Sequence, residues 1–113
     1  MTGSTHRRVL LDACVPQWLR RELTEFDVET AQFAKLDQLP DTQLLDAIEG
    51  RFDAVITLDT SQQYQNNIPS RTFGIVVLRV EDQTPAAFLD LVPQIRHALG
   101  SVKPGNVMRV GKR

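Results

Sequence analysis

Two stretches decide the fold: Val9-Leu10-Leu11-Asp12 and Ala54-Val55-Ile56-Thr57-Leu58-Asp59. Each is a short run of aliphatic or β-branched residues that ends in an aspartate. Runs of this length and composition read as buried strands. The segment after each of them reads as helical. A carboxylate at the carboxyl end of a parallel strand points into the crevice where open α/β sheets bind ligands. Two such carboxylates on neighbouring strands suit a hard divalent cation and, with it, a phosphate.

Working outward, the pattern predicts strands over 8–12, 27–31, 54–58 and 73–80, with a last edge strand over 106–110. The run Ile75-Val76-Val77-Leu78 is continuous and apolar, as in a strand buried on both faces. Pro16 opens a helix that reaches about residue 25, with Trp18, Leu19, Leu23 and Phe26 as its apolar stripe. A loop through Lys35, Asp37 and Pro40 leads to a second helix, whose apolar face is Leu44, Leu45 and Ile48 and whose end is Gly50. Thr84 caps a long helix with the stripe Phe88, Leu91, Val92, Ile95 and Leu99, closed by Gly100. Residues 60–66 read as a short polar helix or turn. Alternating strands and helices predict an α/β fold with a mostly parallel sheet and helices on both faces.

A chain of 113 residues is one domain by length. Its net charge of −1 excludes a polyelectrolyte binder, although the tail from Lys103 to Arg113 and the stretch His6-Arg7-Arg8 are locally basic. Cys14 is the single cysteine, so neither an internal disulfide nor a cysteine-based zinc site can form. It follows Asp12 closely enough to line a site, but a lone cysteine is more often a small buried apolar residue, and that is the expectation here. The sequence predicts no signal peptide, because an apolar leader core is missing. No stretch reaches the ~20 apolar residues of a membrane span.

A third acid joins the first two. Asp41 lies three and four residues before Leu44 and Leu45, on the side of its helix that faces the sheet. It can cap free N–H groups of the first turn, serve the site, or do both. Asp46 is rotated off that stripe and is expected to face water. Three carboxylates in one crevice repel one another unless a cation joins them. Mg²⁺ and Mn²⁺ prefer oxygen ligands and keep waters that can be activated. His6 and His97 lack metal-ligand spacing, and His97 is expected to be solvated on the last helix. There is no glycine-rich phosphate loop.

These residues resemble the short PIN-like proteins. The segment from Val9 to Pro16 looks like that family's opening strand, which ends in Leu-Asp-Glu-Asn-Leu-Pro or similar. Leu39-Pro40-Asp41-Thr42-Gln43-Leu44-Leu45 is similar to its Ser-Asp-Glu-Glu-Ile-Leu segment. Thr57-Leu58-Asp59 resembles its Thr-x-Asp, and Gly74-Ile75-Val76-Val77-Leu78-Arg79 its Gly-Val-Val-Leu-Leu-Arg strand. The match spans 8–110 and rests on the order and spacing of the segments.

The resemblance implies a three-layer α/β/α PIN-like domain with about five strands. It also implies a Mg²⁺- or Mn²⁺-dependent endoribonuclease with Asp12, Asp41 and Asp59 as catalytic and metal-binding acids. Related proteins are often toxins, which implies an RNA substrate and a cognate antitoxin, and proteins of this kind often pair, which implies a homodimer; the lone Cys14 fits a reducing cytoplasm. Trp18 and Phe88 are candidates for a shared interface or for the core. Two positions depart from the pattern. Ala13 stands where a glutamate often follows the first aspartate, and Ser61 stands where a further acid is common. Ser61 is a candidate accessory ligand, although Thr60 and Gln63 also fit a capping box there. The departures favour a second expectation, a catalytically weakened RNA- or partner-binding module. A receiver-like doubly wound domain is the third, and the chain lacks both its late lysine and its early acidic pair.

Overall fold

In the computed structural model, residues 6–60 and 66–111 are described, Asp41 by its backbone alone. The strands are β1 (Arg8–Leu11), β2 (Asp27–Thr30), β3 (Ala54–Thr57), β4 (Gly74–Arg79) and β5 (Val107–Gly111). They form one sheet in the order β2-β1-β3-β4-β5, and every pairing is parallel. The helices that lie wholly within the described residues are α1 (Ala31–Ala34), α2 (Asp41–Ile48) and α3 (Pro85–Ser101), with a 3-10 helix over Gln17–Glu22.

Strand alternation sends successive side chains to opposite faces. Val9, Leu11, Ala54, Ile56, Val76 and Leu78 pack against Leu19 and Leu23 and the α3 stripe Phe88, Leu91, Val92, Ile95 and Leu99. Leu10, Val55, Ile75 and Val77 pack against Leu44, Leu45 and Ile48 of α2, with Phe52, Ile68 and Phe73 completing that layer. The result is a three-layer α/β/α arrangement. Phe88 is fully buried and meets Trp18 edge to face, with ring centroids 6.4 Å apart, so Phe88 belongs to the core.

Four local expectations are corrected. The helix expected from Pro16 to about residue 25 is a six-residue 3-10 helix. Its carbonyls bond three residues on, from Pro16 to Leu19 and from Arg20 to Leu23, and β2 already begins at Asp27, so little chain is left for wider turns. Where the pattern predicts a strand end and loop, Ala31–Ala34 makes one helical turn. Thr30 caps it by accepting a hydrogen bond from the Phe33 amide at 3.1 Å, and Lys35 leaves it at φ 62°. Gly100 does not close the last helix, which runs on to Ser101 with the Ser101 hydroxyl donating to the His97 carbonyl. Cys14 is exposed rather than buried.

Several other expectations are met, while the helix or turn expected over 60–66, with its Thr60–Gln63 capping box, falls largely outside the described residues. The Thr84 hydroxyl accepts from the Ala87 amide at the start of α3. Gly50, at φ 79°, follows α2. His97 is exposed, and Asp46 is exposed and paired with Arg71 at 2.7 Å. Among the described residues, no helix is long and apolar enough to cross a membrane.

Candidate functional site

The strand order places β2 and β3 on opposite sides of β1. The chain therefore reverses its direction of travel across the sheet between β1 and β3, and a crevice opens outside their carboxyl ends. Asp12 is the residue after β1, and Asp59 lies two residues after β3. The two acids singled out by sequence thus reach the rim at the switch point itself.

Asp12 is firmly held. Its own amide donates to the Ile56 carbonyl at 3.0 Å, extending the β1–β3 pairing by one residue. Its Oδ1 accepts from the Ala13 amide at 2.8 Å, and its Oδ2 accepts from the Thr57 hydroxyl at 2.7 Å. The Thr57 oxygen in turn accepts from the Asp59 amide at 3.0 Å. Thr57 is fully buried. One buried hydroxyl therefore ties the first acid to the backbone of the second, and each end of that tie is satisfied.

Cys14 completes the cluster. Its Sγ lies 3.8 Å from Asp12 Oδ2 and 3.7 Å from Thr57 Oγ1, and it accepts from the Leu58 amide at 3.4 Å. The residue is exposed, but its sulfur is tucked under the strand-end loop. Burial pushes its pKa up, and the nearby Asp12 charge adds to that, while the hydrogen bond from the Leu58 amide opposes it. The thiol is thus kept protonated, as a weak donor towards Asp12.

An open crevice of about 470 Å³ is lined by Asp12, Cys14, Asp37, Leu39, Asp59 and Gln83, among others. In the sequence, Asp37 reads as an ordinary loop residue. A signal was present all the same, because the loop after β2 leaves the same rim, and any acid on it is a candidate for the crevice. Thr57 likewise reads only as part of a strand. Asp41 begins α2, and its side chain and all of Ser61 lie outside the described residues. Arg79 is the exposed last residue of β4 and lines a neighbouring hollow with Thr60 and Gln83, next to the crevice.

Among the described residues, no three His, Cys, Asp or Glu side chains form a group that could hold a metal ion. The donors present are the two carboxylates Asp12 and Asp59, with Asp37 in the same lining. Mg²⁺ keeps several waters and is commonly bound by one or two carboxylates plus substrate phosphates. The crevice offers carboxylates for such a hydrated ion, set among Leu36, Leu39, Leu44 and Leu58. Asp12 has three described donors against about four acceptor sites on a carboxylate, which leaves capacity for a further ligand.

No family model matches the chain, and neither a curated protein nor a solved structure matches it. The doubly wound order 2-1-3-4-5 is itself shared by domains of unrelated activity, so function rests on the crevice residues.

Proposed function

We propose that this protein is a divalent-metal-dependent endoribonuclease of PIN-like type, working at the crevice between β1 and β3. The observation that carries the reading is the Thr57 hydroxyl, which holds Asp12 and the Asp59 amide together at the switch point. Asp12 and Asp59 would hold Mg²⁺ or Mn²⁺, with Asp41 as the third acid and Ser61 as an accessory oxygen. When bound, the ion lowers the pKa of a coordinated water and neutralises charge on the phosphodiester.

The chain's own contribution is placement. Thr57 and the Ala13 amide fix the orientation of the Asp12 carboxylate before substrate arrives. Arg79, exposed at the rim, steadies a backbone phosphate beside the crevice. The family resemblance extends the proposal to a cognate antitoxin and a homodimer, and the single cysteine to a cytoplasmic setting.

A second reading is a PIN-like module that binds RNA or a partner with little or no catalysis. It is favoured by Ala13 and Ser61, which stand where acids are common in the family the chain resembles. One assay separates the two. A mixed labelled RNA pool is incubated with metal-stripped protein, Mn²⁺ or Mg²⁺ is added back, and Asp12→Asn is run in parallel. The nuclease reading expects metal-dependent cleavage that Asp12→Asn abolishes. Intact cleavage by a clean Asp12→Asn preparation would falsify it. Retained RNA binding without cleavage at any metal concentration identifies the weakened module.

A further inference from the structure

A second hollow, of about 560 Å³, runs along the free edge of β2, away from the acidic crevice. Its lining includes Arg8, Arg20, Arg51, Asp27, Glu29 and Phe33. Asp27 is in register with Arg8 and Glu29 with Leu10, so both acids share the sheet face that carries α2. Phe33, on α1, is 76 % exposed, the most exposed large apolar side chain described. Arg51 lies over the Phe52 ring with its guanidinium carbon 5.5 Å from the centroid.

Three chemistries meet in this hollow: cationic forks, paired carboxylates and an open aromatic face. The mixture excludes simple partners. A ligand that offered only anionic groups would satisfy the arginines and leave Asp27 and Glu29 without a donor. A second copy pairing edge to edge is also disfavoured. The Asp27 amide donates inward to the Arg7 carbonyl, so by strand alternation Val28 and Thr30 direct their amides outward. An antiparallel pairing through those amides, centred within the strand, sets Glu29 against Glu29 or Asp27 of the other copy, a like-charge contact.

A ribonucleotide unit presents the complement of all three. Its phosphate suits the guanidinium groups, its base suits an aromatic face, and its vicinal hydroxyls suit carboxylate acceptors. We propose that the β2-edge hollow is a ribonucleotide subsite. Arg20 and Arg51 hold the phosphate, Glu29 accepts from the ribose 2′-hydroxyl, and Phe33 stacks on the base. The site lies one strand from the crevice, because Thr30 is in register with Leu11, which precedes Asp12. The Gln32 amide, beside Phe33, also donates to the Ala13 carbonyl at 3.3 Å. A nucleotide held there is one unit of an RNA strand that continues into the crevice. The inference rests on the RNA reading for its place in that path, but not on cleavage.

The test is an NMR titration of metal-free, isotope-labelled protein with AMP, dAMP and inorganic phosphate in turn. AMP is expected to shift the amides of Val28, Glu29 and Phe33 at saturation, and to bind about tenfold more tightly than dAMP. Phe33→Ala and Arg51→Ala should each weaken AMP about tenfold, and Glu29→Gln should erase the preference for ribose. Phe33 and Arg51 are exposed, so these variants should keep the wild-type spectrum elsewhere. Equal binding of AMP and dAMP, shifts confined to the crevice around Asp12, or binding indifferent to Phe33→Ala and Arg51→Ala would overturn the proposal. Phosphate alone giving the same shifts and affinity as AMP would overturn it too. Groove binding without cleavage by the same protein would count against the nuclease reading alone.

Discussion

Thr57 shows how one side chain can matter more than its type suggests. It ends β3 as an ordinary β-branched strand residue, yet its hydroxyl is the only described link between the Asp12 side chain and the Asp59 backbone. Thr57→Val keeps the shape and deletes the hydroxyl. It leaves the Asp59 amide without that acceptor and removes a donor from Asp12. A stability loss of about 1–3 kcal/mol is expected, from the cost of an unmade buried hydrogen bond. In urea titrations the midpoint should fall at unchanged slope, and Thr57→Ser should recover most of it. A Thr57→Val protein as stable as wild type would show that the tie contributes little. Asp12 and Asp59 are legible in the sequence because each follows a short apolar run. Thr57 is not, since a threonine inside such a run is indistinguishable from a strand former until its partner is known. Cys14 departs from expectation for a related reason. Lone cysteines are usually buried, but this one sits on the turn after β1, where the chain has already left the sheet.

Elements with strong periodicity are legible in the sequence, and short ones are not. The α3 stripe is buried as its spacing predicts, and α2 buries Leu44, Leu45 and Ile48. The 3-10 helix and the single turn of α1 carry too few residues to display a period, and their form is set by the distance to the next strand. An ion pair helps to fasten that irregular region to α3. Arg96 donates to Glu25 from across the α3 layer, and this hydrogen bond holds the Glu25 carboxyl below its ordinary pKa. With the folded pKa depressed, its contribution is present above the unfolded value of about 4.5 and is lost as pH falls through the lower folded value. Both side chains are well exposed, so the pair is worth about 0–1 kcal/mol. Accordingly, Arg96→Ala should lower the thermal midpoint slightly at pH 7 in low salt. The difference from wild type should vanish at 1 M salt or at acid pH. A difference that persists there would assign the effect to lost packing instead.

At the scale of the whole molecule, the sheet is legible in outline. Five strands, mainly parallel, are expected, and all five pair in parallel. The order in which they lie is not legible, because nothing in a single sequence states which strand neighbours which. That order matters most for function, since it creates the switch point at Asp12. It also imposes close approaches on the layers. A Cβ built on Gly74 would sit 2.7 Å from the Lys103 carbonyl oxygen and 2.6 Å from a Val102 methyl, where the end of α3 turns back towards β5. Gly74→Ala is therefore expected to cost about 1–3 kcal/mol by overpacking. Thermal unfolding should begin earlier, and amide exchange should accelerate first in β4 and β5. An unchanged exchange pattern would mean that the turn after α3 yields freely.

Arg7 precedes β1, and its guanidinium donates to the Leu99 carbonyl at 3.1 Å and the Val102 carbonyl at 2.8 Å, at the far end of α3. Of the five strands, the one translated earliest occupies an interior position in the sheet, and the residue before it is fastened to α3, whose far end is made about ninety residues later. Until that helix has left the ribosome, the nascent domain holds neither this clasp nor the α3 stripe that covers one face of its sheet together with Leu19 and Leu23. Its folding on the ribosome therefore waits for α3, however early the first strands emerge.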